Sequence, residues 1–512
     1  MPQAPQTDNF ADDASSTDAA KTDTAKTDAT LNAAVTDTTA LTTATTRWHT
    51  ELYGVAPVFL AHAPATWSVI GEHVDHAGGV VVMSLAGQRA AVSVSPREDH
   101  KFVVHFLRDS LADARGTGKP AAAEDSTTVK EITTSEEIAT LFSQQQPDVD
   151  DSGKSTTPPL PRGGLAHRLG GIVWMMMQRQ LLSRDTSGMN ITVVSTITPN
   201  SGLGEYAAID SALALALQSD APDVDEAPLR ARLAEVCTQA GELFSSTVTL
   251  RARYSAALRG AGAGTGSNAG SSAGSRSGSA AGAQVSVLDY ADGSLTKAVH
   301  PVSRELAAFA VTVPQDVSTN DDTSTGESTA GNTTPGDDSE TTAVTGQSDE
   351  IRTRNRFVDS ARQAFGAQSL RLLPDAPARV TQWLSAVHQV HGTDGVPELH
   401  ESRTWLDFHA AETERAQRFA HAIRSQRARD IWPLLRDSQQ ALQDDYTLDA
   451  SMELAQLCQV RGAIGARAAA AGTSKAVIAY VDKKKAENFA HDLVADGLVV
   501  TRLIPGDIAQ LG

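Results

Sequence analysis

The sequence predicts an α+β protein of two lobes, on three observations. Strand-like runs crowd the first half of the 512 residues, the chain is mainly helical in periodicity from residue 351, and a strand–helix–strand unit closes it. A strand-rich stretch followed by a helix-rich one is the pattern of an α+β fold.

A short helix, TRWHTELYG (46–54), is the first ordered element expected. VFLAHA (58–63) and WSVIG (67–71) read as two strands, VVVMSLAGQRAAVSVSPRE (80–98) as one or two more, and KFVVHFL (101–107) as another, because apolar and polar residues alternate or run together over strand lengths. In GGLAHRLGGIVWMMMQRQLLS (163–183), Leu165, Leu169, Ile172, Val173 and Met176 fall on one helical face, and the Met run reads as core packing. NITVVSTI (190–197) is a strand that leads through a Gly-Leu-Gly turn into an Ala-rich helix. Residues 226–259 read as helical, and QVSVLDY (284–290) and AAFAVTV (307–313) as strands. Helices are expected at 356–366, 377–392, 404–423, 430–446 and 451–463. The closing unit is SKAVIAYV (474–481), KKAENFAHDLVAD (484–496) and GLVVTRLI (497–504).

Not all of the chain has the composition of a folded core. Residues 1–46 are mostly Thr, Ala and Asp, and stretches of about 108–160 and 315–350 are similar, so little apolar surface is available to offset chain entropy. Residues 260–283 are a Gly/Ser/Ala linker. The formal net charge of −19 is local to such segments. Residues 1–46 hold two Lys and seven Asp, residues 107–160 five basic and ten acidic residues, and residues 316–350 nine acidic residues and no basic one. Those three segments account for the whole excess, so the remaining chain is neutral and its charge identifies no partner. No basic patch argues for nucleic acid, and no run of 18 apolar residues argues for a membrane span. Two cysteines, Cys237 and Cys458, imply no disulfide framework and fit a reducing cytoplasm, the expected location.

Two motifs carry the chemistry. In VIGEHVDHAGG, Glu72, His73, Asp75 and His76 stand between a strand and a Gly pair. Read alone, the cluster fits a polar hairpin, a hydroxyl-binding loop or a divalent-metal site, although its spacing matches no common metal motif. In TPNSGLGEYAAIDSALALAL (198–217), Gly202-Leu203-Gly204 feeds a helix N-terminus, the usual cradle for a phosphate. Glu205 and Tyr206, however, occupy the first helical turn, which puts a carboxylate where an anion would lie.

The loop, its strands and the Gly-Leu-Gly turn about 130 residues on resemble the GHMP sugar and metabolite kinases, specifically the galactokinases. CTQAGELFSSTVTLRARYSAALRG (237–260) falls where that family's catalytic helix lies, EIRTRNRFVDSARQAFGAQSLRLL (350–373) resembles the helix opening its second lobe, and GAIGARAAAAGTSKAVIAYV (462–481) falls on its Gly-rich C-terminal motif. The resemblance implies a two-lobed fold with a ligand cleft between the lobes and, as family activity, ATP- and Mg²⁺-dependent phosphorylation of galactose at C1. It implies a tail at 1–46, a first lobe over 47–300 with insertions at about 108–160 and 260–283, and a second lobe over 301–512 with an insertion at about 315–350. Glu72, His73 and Asp75 match the residues that hold the sugar hydroxyls, so a galactose-like hexose is the expected partner, with no nucleic acid, membrane or identified protein partner. Gly202, Leu203 and Gly204 match the phosphate loop.

The catalytic positions depart from the family. Thr66 stands where the family has an Arg that steadies the transferring phosphoryl group, and Arg253 where it has the Asp base. A guanidinium cannot accept a proton. Gly241 replaces the acidic residue expected to help hold Mg²⁺, with Glu242 beside it, and Glu205 and Tyr206 replace the phosphate-loop serines. Ile351 stands for a sugar-contacting Tyr, and only Gly472 remains of the C-terminal glycines. No Asp lies between Asp225 and Asp289, so no small shift of register recovers the base. The expectation is therefore a member of the family with no metal ligands and no catalytic residues, doubtful ATP and Mg²⁺ binding, and little or no kinase activity. The alternatives are an active kinase with relocated residues or a sugar-binding, regulatory pseudokinase.

Overall fold

In the computed structural model, residues 36–108, 128–146, 158–262, 284–300, 305–314, 346–393 and 395–512 are described. The linker at 263–283 and the insertion at 315–345 lie outside them.

Asp37 opens the first helix, α1 (Thr38–Tyr53). Its carboxylate accepts from the N–H groups of Thr39 and Ala40, two of the donors a helix start leaves unpaired, and Gly54 ends the helix in the left-handed conformation. The expected boundary at 46 is thus corrected, because the Thr/Ala run puts Leu41 on the same buried patch as Trp48, packed on Ala91, Leu107 and Val194.

Two long strands form the spine of the first lobe. β1 (Phe59–Ile70) is one strand where two were expected, and β2 (Val80–Arg97) is a single strand of 18 residues. They pair antiparallel, with irregularities at Pro64/Thr66 and Ser68/Ile70. At the first of these the Thr66 N–H leaves the ladder and donates to Leu203 O. The sheet continues through β5 (Gly188–Ser195), β3 (Lys101–Arg108) and β4 (Thr128–Thr134), with β6 (Gln284–Asp289) and β7 (Ser294–Val299) branching from β2.

β4 and the helix that follows, α2 (Ser135–Gln144), correct the expectation that about 108–160 is one structureless insertion. Thr134 and Glu137 form a reciprocal capping box, Ile138 is buried, and Glu131 accepts from Ala166 N at the start of the next helix. Residues 109–127 and 147–157 lie outside the described residues. That next helix, α3 (Leu165–Gln178), buries all five of the apolar positions expected, together with Met175. α4 (Glu205–Ala216) is buried from Ala207 to Ala216. The helical stretch expected over 226–259 is two helices, α5 (Ala227–Phe244) and α6 (Arg251–Arg259), broken at 245–250.

The second half is helical as expected, in α7 (Ser348–Ala364), α8 (Ala376–His391), α9 (Leu399–Arg424), α10 (Ile431–Asp444) and α11 (Met452–Val460). Its sheet runs β11-β8-β10-β9, all antiparallel, from β8 (Leu306–Thr312), β9 (Gly465–Ala468), β10 (Ala476–Asp482) and β11 (Val499–Leu503), with α12 (Ala486–Ala495) between the last two in sequence. The division at 300 is not clean. β12 (Gln510–Leu511) returns to pair with β1, and one apolar cluster joins Trp67 and Phe244 to Ala310, Phe419 and Tyr480.

Candidate functional site

The loop at 71–79, the Gly-Leu-Gly turn, α6 and the 468–474 segment converge on one buried junction, with Arg253 at its centre. α6 starts at Arg251, so Arg253 lies in its first turn and is only 3% exposed. Its Nη1 donates to Thr66 O at 2.5 Å and to Thr66 Oγ1 at 3.3 Å, and its Nη2 donates to Ala469 O at 2.9 Å. The guanidinium therefore ties β1 to the C-terminal motif. Burial lowers its pKa below the ordinary value while nearby Glu72 opposes that shift.

The turn is packed against this cation. Gly204 has φ +68°, and a Cβ there would lie 2.7 Å from Thr66 Oγ1 and 2.8 Å from Arg253 Nη1, so only glycine fits. At Gly202 a Cβ would lie 2.5 Å from Ala469 Cβ and 2.7 Å from Ser474 Oγ. Leu203 is buried. Glu205 opens α4, and its Oε1 accepts from Ser195 Oγ at 2.7 Å. Tyr206 stands over the Arg168 guanidinium, 5.1 Å from ring centroid to Cζ.

Arg168 was missed by sequence reasoning, which took its helix as an apolar face; the signal was a lone charge in a buried stripe. It is 1% exposed and every guanidinium nitrogen is engaged. Nε meets both carboxylate oxygens of Asp210 at 2.8 and 3.0 Å, Nη1 meets Ser245 Oγ and Thr247 O, and Nη2 meets Thr249 Oγ1 and Tyr254 Oη. Burial alone would lower its pKa, but Asp210 and Tyr254 more than offset that and hold the guanidinium charged. A Cβ at Gly241 would lie 3.1 Å from Tyr254 Oη and 3.3 Å from Arg168 Nη2. A side chain from the position of the expected metal ligand would thus point into a guanidinium network. Glu242 turns elsewhere, to His76, with 3.1 Å between its Oε1 and Nε2. Among the described residues no group of three His, Cys, Asp or Glu side chains could hold a metal ion.

Glu72, His73 and Asp75 are brought to the same junction. Glu72 Oε2 pairs with Arg467 Nη1 at 3.2 Å, and Arg467 also lies 3.9 Å from Glu412, whose Oε1 accepts from Gly71 N and Ser438 Oγ. His73 holds a left-handed backbone at φ +64°, which costs a non-glycine residue about 1–3 kcal/mol. Its Nε2 meets Ala471 O at 3.1 Å, and its ring lies 5.8 Å from Tyr446. Asp75 accepts from Ala252 N through Oδ2 and from His76 N through Oδ1. Two atoms of the triad, Glu72 Oε1 and His73 Nδ1, are buried with no hydrogen-bond partner among the described residues. Leaving a buried polar group unpaired is costly, and among the described residues Nη2 of Arg467, the partner of Glu72, has no hydrogen-bond partner either. Ile351, at the position of the expected Tyr, is 1% exposed and packs in the apolar cluster that holds Tyr446 and Leu448.

His76 clamps the loop to both halves, lying between Glu242 of α5 and Asp359 of α7, the latter at 3.7 Å. Burial would depress the imidazole pKa, but the hydrogen bonds to Asp359 and Glu242 prevail and hold it well above 6.5, aided by Asp75. A raised folded-state pKa contributes stability that is full below pH 6.5 and is lost as pH rises through the folded value. The melting temperature of the unaltered protein should therefore exceed that of His76→Gln by a few degrees at pH 6, about 1–3 kcal/mol. The gap should narrow as pH rises above 6.5, and a gap independent of pH up to 10 would show that the pair is not the cause.

The Gly-Leu-Gly turn packs on Arg253, Ala469 and Ser474, a carboxylate opens its helix, and position 241, where the resemblance implies a metal ligand, faces a cation.

The galactokinase galactose-binding signature matches residues 47–96. No curated protein matches the chain. Among solved structures, the galactokinase of Lactococcus lactis, crystallised with galactose, superposes with a TM-score of 0.58 at 14% identity, covering 91% of this chain and 99% of that one. The Listeria innocua protein Lin0012 gives a TM-score of 0.46 at 11% identity over 89% and 99%, and the Methanococcus jannaschii mevalonate kinase 0.45 at 9% over 88% and 98%.

Proposed function

We propose that this chain, whose residues 47–96 match the galactokinase galactose-binding signature and whose fold is that of a galactokinase, is a catalytically silent member of that family that binds a hexose and transfers no phosphate. The observation that carries this reading is Arg253. It occupies the base position as a buried cation, donates to Thr66 and Ala469, and is wedged against Gly204. Phosphoryl transfer draws nearly all of its rate from positioning and from charge stabilisation of the transferring group. On this reading Arg253 accepts no proton in place of the base, the glycines of the turn pack on Arg253 and Ala469, and a side chain at 241 would meet Arg168, all of which supports a silent site. Glu72, His73 and Asp75 persist, two of them with unsatisfied polar atoms, which supports a hydroxyl-bearing ligand held by the triad.

Ligand-induced stabilisation tests the reading without presuming catalysis. A hexose that binds the native state raises its stability by about 2.7 kcal/mol at a hundred times its Kd. Against a panel of hexoses and Mg–ATP, the melting temperature should rise with galactose or a close relative and stay unchanged with Mg–ATP. Stabilisation by micromolar Mg–ATP would contradict it.

Glu205 gives a sharper test of the nucleotide half. Two anions a few ångströms apart repel by about 1–4 kcal/mol at the dielectric constants of partly exposed sites. The double change Glu205→Ser with Tyr206→Ser should raise nucleotide affinity by about tenfold or more, read by calorimetry. An unchanged or weaker affinity would show that the packing on Arg253, and not this charge, excludes the phosphates.

A further inference from the structure

A cleft of about 250 Å³ is lined by Asp75, His76 and Gly78 of the signature loop, but by neither Glu72 nor His73, and by neither Arg253 nor the Gly-Leu-Gly turn. A smaller groove of about 160 Å³ adjoins it and shares Glu235, Arg251 and Tyr290 with it. Of this lining only Asp75 also belongs to the junction around Arg253.

The lining is mixed in charge. Four carboxylates, Asp75, Glu235, Glu242 and Asp359, face three cations, His76, Arg251 and Arg362. Most are already paired with one another. Glu235 accepts from Arg251 and from Gln239, Arg362 lies 3.3 Å from Asp359, and His76 lies between Glu242 and Asp359. Arg251 covers the Tyr290 ring at 4.9 Å. A near-balanced set attracts neither a strong anion nor a bare cation, and no metal-binding group of three exists here among the described residues. Each carboxylate offers about four lone-pair positions, more than its contacts here use, while Gln239, Gln368 and Thr238 add amide and hydroxyl groups of both senses. Acceptors and donors together in one lining suit a ring of vicinal hydroxyls, each of which gives one hydrogen bond and takes another. The volume lies below the ~300–1,000 Å³ of sites for drug-sized ligands, which suits a monosaccharide.

We propose that this cleft is a second carbohydrate site, separate from the Glu72/His73 junction, that takes a neutral hexose-sized polyol between α5, α7 and the outer part of the signature loop. Asp75 touches both places, since its Oδ2 also accepts from Ala252 N next to Arg253. Occupancy of the cleft is thereby felt at the junction.

The test is calorimetry and amide hydrogen exchange on the full chain with galactose, glucose and mannose at millimolar concentration. Glu235→Leu and Gln239→Leu change the cleft lining and leave Glu72 and His73 in place, and Glu72→Gln changes the junction and leaves the cleft lining in place. In Glu72→Gln, a hexose should still bind and protect 235–242 and 75–78 from exchange, and adding Glu235→Leu or Gln239→Leu should weaken that binding at least tenfold. The proposal is overturned if no hexose binds Glu72→Gln, or if its binding ignores both cleft changes. Unchanged melting temperatures of the two cleft variants exclude misfolding, and if one variant fails to fold the other decides. Failure of the junction reading alone looks different: Glu72→Gln then binds hexose as the unaltered protein does, with every event sensitive to Glu235→Leu.

Discussion

Asp210→Ala is expected to be the most damaging single substitution in the first lobe, lowering stability by about 3–5 kcal/mol. That is the usual cost of leaving one partner of a buried ion pair without its counter-charge. Asp210 is 0% exposed and takes both Arg168 Nε contacts and the Tyr254 hydroxyl. Removing it strands a guanidinium that cannot lose its proton to relieve the burial. Arg168→Met should cost comparably, since Asp210 is then the stranded charge, but a carboxylate can be protonated. The Arg168→Met variant should therefore recover part of its loss as pH falls toward 5, while Asp210→Ala should not. Replacing both, as Arg168→Met with Asp210→Ala, should be much milder than the sum of the singles, because the pair is removed together. Urea denaturation of the four proteins measures this, and additive losses would show that the two side chains do not act as a pair.

The second large effect concerns repair of the catalytic positions. Restoring the family's residues singly should give a worse protein and no activity. Arg253→Asp leaves the carbonyls of Thr66 and Ala469 without a donor and places a second carboxylate near Glu72, whose charge Arg253 now offsets. Each unsatisfied buried group costs about 1–3 kcal/mol. Thr66→Arg brings a second guanidinium to a place where Gly204 has no room even for a Cβ. Together the two changes are complementary, an Arg facing an Asp, so the double variant should be more stable than either single. A stabilising coupling between 66 and 253, of order 0.5–3 kcal/mol in a double-mutant cycle, is the expected signature of residues that share one site. A coupling near zero would mean that an Arg at 66 and an Asp at 253 do not meet in one site. Turnover needs the serine pair at 205 and 206 as well, because the phosphate turn is altered independently of the base.

Much of the fold was legible because its signals are local. The face of α3 and the Ala-rich α4 follow from periodicity within one segment, and both are buried as their patterns imply. What escaped had no local signal. β9 and β12 span four and two residues, too short to show alternation, and they exist because neighbouring strands complete their hydrogen bonds. β4 and α2 were hidden by the polar, charge-rich composition around them, although the Thr134/Glu137 capping box could have been read from the sequence. For the site, the family resemblance set Arg253 against the expected base. It could not show where the guanidinium goes, because its acceptors lie 187 and 216 residues away in sequence. The Arg168 network likewise draws on α3, α4, α6 and the 245–249 turn, which only the folded chain brings together.

Turnover by the unaltered full-length chain tests the central claim most directly, with galactose and other hexoses, saturating Mg–ATP and a coupled ADP readout. Loss of a general base alone commonly costs ~10²–10⁴-fold, and kinases ordinarily turn over at ~1–100 per second. The expected rate is below about 0.01 per second and indistinguishable from that of Glu72→Gln. Steady hexose-dependent ADP release above about 1 per second, abolished by Glu72→Gln, would show that another residue supplies the base and that Arg253 does not silence the site.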